Sequence, residues 1–127
     1  RFFVIAALVS ALGGCSDVCT STLVTSVVAP DGQHKAELFQ RDCGATTGFS
    51  TQISITATSE KLSGGGNTFQ ADDDHGAAQA GAWGGPWAEI NWLSADHLLV
   101  KYAAKSRVFK RVTDVNGVRV TFQTVTR

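Results

Sequence analysis

Asp72-Asp73-Asp74-His75 sets three carboxylates and an imidazole at consecutive positions. Oxygen donors suit hard cations, so this run is a candidate ligand set for Ca2+ or a transition metal, and hence for the centre of a metal-dependent hydrolase. It departs from an EF-hand loop, which places its acids at alternate positions and closes with a bidentate Glu. A solvated acidic loop among glycines is the plainer reading. A second group surrounds Cys43, where Arg41, Asp42, Thr46 and Thr47 offer a guanidinium, a carboxylate and two hydroxyls. They form a candidate corner for a small polar ligand. The alternative is structural: Arg41 pairs with Asp42 or an acidic-loop residue, and the Thr hydroxyls satisfy the turn backbone. No catalytic residue stands out. The histidines are His34, His75 and His97, no G-x-S-x-G is present, and "SGGGN" in a β context is no phosphate cradle. The chain leans away from being an enzyme and names no cofactor beyond a cation at residues 72–75.

The cysteines set the expected address. Residues 2–12, "FFVIAALVSAL", are apolar except for Ser10 and follow Arg1. A membrane-spanning helix needs about 20 such residues, so the run has the length of a secretory signal core behind a basic residue. With no Met in the sequence, its start reads as truncated. Leu12-Gly13-Gly14-Cys15 then resembles the lipobox of bacterial lipoproteins. Such a motif implies a thioether to diacylglycerol at Cys15 and cleavage before it; acyl chains in twos or threes anchor stably where one does not. Ser16 in place of Asp implies sorting to the outer membrane, with the domain facing the periplasm. Lipidation of Cys15 leaves Cys19 and Cys43 as a pair, which an oxidising periplasm favours as a disulfide. The bridge closes a loop of about 25 residues and stabilises by roughly 3 kcal/mol in the chain-entropy picture. A Cys19/Cys43/His metal site is the competing reading and lacks a second close-spaced ligand pair. The expected organisation is a signal peptide over 1–14, a lipidated tether over 15–20 and one β domain over 21–127.

These residues must be positioned by strands. Val, Thr, Ile and Phe dominate the periodic segments after residue 15, with Gly-rich breaks between them. Strands are expected at Thr22–Ala29, ending at the Pro30-Asp31-Gly32 turn, and at His34–Arg41. In 49–57, "FSTQISITA", Phe49, Thr51, Ile53, Ile55 and Ala57 alternate with polar residues, the mark of a half-buried antiparallel strand. Residues 59–86 read as a long mobile loop around a short strand near Asn67–Gln70. Within it Trp83 is either an exposed stacking platform or an aromatic lid on the sheet. Trp87–Leu93 and Leu98–Tyr102 form a hairpin.

Asn116-Gly117 is a strong type I′ turn signal. It pairs Val115 with Val118, Asp114 with Arg119 and Arg111 with Phe122. This gathers Phe109 onto an apolar face and an Asp114–Arg119 ion pair with Lys110 and Gln123 onto the other. The fold class expected is all-β: a small antiparallel sandwich, curved meander or partly open barrel of about seven strands, after an N-terminal signal helix.

Charge excludes one function class. Lys plus Arg and Asp plus Glu are 11 each, so there is no global nucleic-acid signal. The basic residues nevertheless crowd the end: residues 101–127 hold seven against Asp114 alone.

"RDCGATTGFSTQ", with "PDG" upstream and "GNTFQADDDHG" downstream, resembles a family of small bacterial lipoproteins and exported proteins to which no activity is assigned. The resemblance covers most of residues 28–110 and implies class and address. The expected partners are membrane lipid, through acylated Cys15, and an envelope protein. The expected function is a non-catalytic binding or structural module of the cell envelope. A metal-binding protein or metal-dependent hydrolase at Asp72–His75 is the alternative. An inhibitor of envelope-directed enzymes is a third.

Overall fold

The computed structural model describes residues 19–44 and 49–126. The expected signal helix, Cys15, Thr46 and Thr47 lie outside the described residues. The rest is all-β, with two sheets and no closed barrel. The strands are β1 (Thr20–Val28), β2 (His34–Asp42), β3 (Ser50–Ala57), β4 (Phe69–Asp72), β5 (Ala88–Ser94), β6 (His97–Ala103), β7 (Arg107–Arg111), β8 (Asp114–Val115) and β9 (Val118–Val125). One sheet runs β1-β2-β3-β4-β7 and the other β5-β6-β9-β8.

The core lies between the sheets. Leu38, Ile53, Ile55 and Phe69 of the five-stranded sheet meet Ile90, Leu98, Val100, Val118 and Val120 of the other. Each set recurs at every second position, as a pleated strand requires. Phe69 anchors an aromatic group, with its ring centroid 5.0 Å from Tyr102 and 5.8 Å from Phe122. Between β1 and β2 the chain reverses at Pro30-Asp31-Gly32. Gly32 takes φ 75°, and Gly32 N donates to Ala29 O at 2.9 Å.

Two elements differ from the sequence expectation. The alternation in β3 marks one buried face, yet Gln52, Ser54 and Thr56 on its other face are buried as well. The cause is the glycine run after it. Gly66 lies so close to the sheet that a Cβ there would stand 2.7 Å from both Ile53 O and Phe69 O. Asn67 then continues the ladder beyond the end of β4, its side-chain amide accepting from Ile55 N at 2.9 Å and donating to Ile55 O at 2.8 Å. The segment expected to be a mobile loop is therefore pinned by specific bonds over the outer face of the sheet.

The second correction concerns the last hairpin. Val115 opposes Val118 and Asp114 opposes Arg119, as the Asn116-Gly117 turn dictates. Beyond Thr113 the arms part. Val112 N donates to Thr68 O at 3.0 Å and β7 joins β4 in the opposite sheet, while β9 pairs in parallel with β6. Parallel neighbours need a crossover, and here β7 supplies it from the other layer. Arg111 consequently does not pair with Phe122 along a ladder; its guanidinium lies over the Phe122 ring at 5.6 Å. Phe109 is 62% exposed instead of joining the core. Asp114 and Arg119 face each other without an ion pair, because Arg119 Nη2 turns to His97 Nδ1 at 3.2 Å.

Candidate functional site

The polar side chains of interest arise from one register line. Ser21 stands opposite Arg41, Arg41 opposite Ser50, Ser50 opposite Asp72, and Asp72 opposite Arg107. Opposed residues share a face, so this row crosses all five strands on the side away from the core. Two positions along lies a second row, with Gln52 beside Gln70 and Gln70 beside Lys110. Above these rows is a cavity of about 410 Å3, within the range that holds small ligands. Ser50, Gln52, Gln70 and Asp72 line its floor, with Arg41 on the β2 side and Arg107 and Phe109 on the β7 side. Asp73 and His75 reach it from the turn after β4.

Arg41, Gln52, Gln70 and the Asp72–Arg107 pair are held in place. Cys19 and Cys43 form a disulfide joining the start of β1 to the end of β2. It fixes the corner at which Arg41 Nη1 donates to Ser21 Oγ at 2.7 Å; the same nitrogen donates to Gly64 O at 3.2 Å. Gly66 N donates to Gln52 Oε1 at 2.7 Å, and Gln70 Nε2 donates to Gly66 O at 2.8 Å. The two amides on the floor are thus oriented by the glycine segment. A Cβ at Gly66 would collide with the sheet backbone, and one at Gly65 would crowd Gln70 Nε2 at 3.0 Å.

Asp72 and Arg107 form a two-point ion pair, with Arg107 Nε 3.1 Å from Oδ1 and Nη2 2.6 Å from Oδ2. Asp74 N also donates to Oδ1, at 2.9 Å. The Arg107 bond chiefly, aided by the backbone donor, holds the Asp72 carboxyl below the ordinary value against the opposing effect of partial burial. The turn that follows runs through positive φ at Asp74 (52°), His75 (58°) and Gly76 (89°). Among the described residues, no three His, Cys, Asp or Glu side chains converge as a metal site.

The sequence-derived corner and the acidic loop, separated by about thirty positions, thus meet at one cavity. Arg41 belongs to it, as do Asp72, Asp73 and His75; Asp42 and Asp74 are not among its lining residues. Asp42 Oδ1 instead accepts from Gly44 N at 3.1 Å, capping the turn, and Arg41 pairs with no carboxylate among the described residues. Ser50, Gln52, Gln70, Arg107 and Phe109 also line it and do not stand out as site residues in the sequence. For Gln52 the polar phase of the β3 alternation carried a signal. For Arg107 and Phe109 none existed without the strand order.

Trp83 is the lid, not a platform. Its Nε1 donates to Thr51 Oγ1 at 2.8 Å and its ring packs on the core. His97, beside Asp96 in the β5–β6 turn, bonds Thr121 Oγ1 through Nε2 at 2.7 Å. No protein family, curated protein or solved structure matches the chain.

Proposed function

We propose that this is a lipid-anchored protein of the bacterial cell envelope whose β domain binds a small polar ligand and catalyses no reaction. The cavity of about 410 Å3 on the outer face of the five-stranded sheet carries the reading. Its polar lining includes Arg41, Gln52 and Gln70, whose orientation is already fixed by bonds to Ser21, Gly64 and Gly66. Preorganised polar groups around a concavity bind without the entropic cost of ordering them. Acylated Cys15 supplies the membrane attachment in this reading, with the domain facing the periplasm from the outer membrane. The disulfide accords with an oxidising compartment.

The cation reading of the Asp72–His75 loop has less support. Asp72 is committed to Arg107, and among the described residues no three His, Cys, Asp or Glu side chains come together as a ligand set. The address is tested by palmitate incorporation, which must be lost in Cys15→Ala and whose processing globomycin must block. The binding is tested by melting the full chain in detergent against sugars, amino acids, dipeptides and organic acids. A ligand that binds only the folded state raises the melting temperature. Ser50→Trp, which fills the floor, must abolish the rise; a rise that survives in that variant places binding elsewhere.

A further inference from the structure

We infer that the cavity takes a small carboxylate-bearing molecule, held through the Nε/Nη2 edge of Arg41; this rests on the binding reading above. The Arg41 guanidinium is anchored by one nitrogen only. Nη1 serves both Ser21 Oγ and Gly64 O, and no acceptor among the described residues takes Nε–H or Nη2–H. Its charge is also uncompensated. The ion pairs among the described residues are Lys35–Glu37 and Arg107–Asp72.

Three strands away in the same row, Arg107 shows what that edge of a guanidinium holds. Its Nε and Nη2 grip the two oxygens of Asp72. Arg41 offers the same planar fork, which matches a carboxylate by two parallel bonds.

The remaining groups narrow the ligand. Asp73 lines the cavity, which disfavours a second negative charge on the guest and accepts from an N–H or O–H group. Gln70 spends its Nε2 on Gly66 O and so offers Oε1 as an acceptor. Phe109 adds an exposed aromatic surface at the β7 edge, with the Arg107 guanidinium 5.2 Å from its ring centroid. One carboxylate at Arg41, donor groups toward Gln70 and Asp73, and an apolar face for Phe109 describe an amino- or hydroxy-substituted carboxylic acid. A peptide C-terminus and a sugar acid both supply that chemistry.

The test follows the Arg41 side-chain Nε–Hε resonance of the 15N-labelled full chain in detergent. The probes are Ala-Ala against its C-terminal amide, glucuronate against glucose, and inorganic phosphate. A carboxylate probe moves the Arg41 resonance and binds about tenfold or more tightly than its neutral counterpart. The stronger of the two carboxylates identifies the source. Arg41→Gln and Arg41→Lys both lose that preference, since Lys keeps the charge without the fork. Equal binding of neutral and charged partners overturns the carboxylate assignment while leaving the cavity reading intact. Phosphate binding more tightly than either carboxylate overturns it in favour of another anion. No probe moving any cavity resonance removes both. The comparison of probes on the unsubstituted chain decides the matter even if the Arg41 variants fail to fold.

Discussion

At the scale of single residues, the site depends on one glycine and one ion pair. Gly66 carries no side chain because its backbone lies against Ile53 and Phe69, where a Cβ would meet both carbonyl oxygens at 2.7 Å. Gly66→Ala is expected to cost about 1–3 kcal/mol through overpacking against rigid backbone, read as a lower urea midpoint at unchanged slope. Gly32→Ala probes a different cost, since a Cβ there meets nothing within 4 Å and only the φ of 75° opposes it. The pair Asp72–Arg107 gives the protein an acid dependence. The Asp72 carboxyl sits below 3.8 when folded, chiefly because of Arg107. The unfolded chain therefore binds its proton more readily. The stability it contributes is complete above the unfolded value of 3.8 and is lost as pH falls through the lower folded value. Urea midpoints measured from about pH 5 down to about pH 2 should fall more steeply for the native chain than for Asp72→Asn. Identical slopes would show that this carboxylate is not the titrating group.

At the scale of elements, local rules read well and pairing between distant strands did not. The "FSTQISITA" alternation and the two turns, Pro30-Asp31-Gly32 and Asn116-Gly117, specify their strands from within a few residues. A turn fixes register only near itself, however. β7 lies beside β4 rather than along β9, and no local pattern says which sheet a strand will join. Both choices satisfy period-two burial, and only the packing of the whole core separates them. Continuing β7 along β9 would put Phe109 in the core and hide the Asp72–Arg107 contact, whose partners are 35 positions apart. Half the cavity wall is thereby invisible in the sequence, although Arg41 and the acidic loop each stand out in it. The disulfide, by contrast, is legible from the cysteine count once the lipobox reading sets Cys15 aside. With 24 positions between its ends, its removal in Cys43→Ser should cost about 3 kcal/mol. Because it clamps the ends of β1 and β2, the Arg41 side-chain resonance should also broaden or shift in that variant. A sharp, unmoved signal would mean that Ser21 and Gly64 hold the guanidinium unaided.

At the scale of the molecule, the two sheets divide the work. The four-stranded sheet closes the core, while the outer face of the five-stranded sheet carries the polar rows and the cavity. The glycine segment 64–66 covers part of that face and, with the turn after β4, borders the cavity that stays open, an arrangement expected of a scaffold that presents a preformed site. The all-β class is legible in the sequence, but no local pattern brings residue 41 and residue 107 to one opening. Resonance mapping of the 15N-labelled full chain during titration with small polar compounds tests the central claim most directly. The backbone signals of Gln52, Gln70, Asp72 and Phe109 should move together and saturate at one ligand concentration. Shifts confined to β5, β6 and β9, or no saturable shift for any compound, would contradict a binding site on the five-stranded sheet.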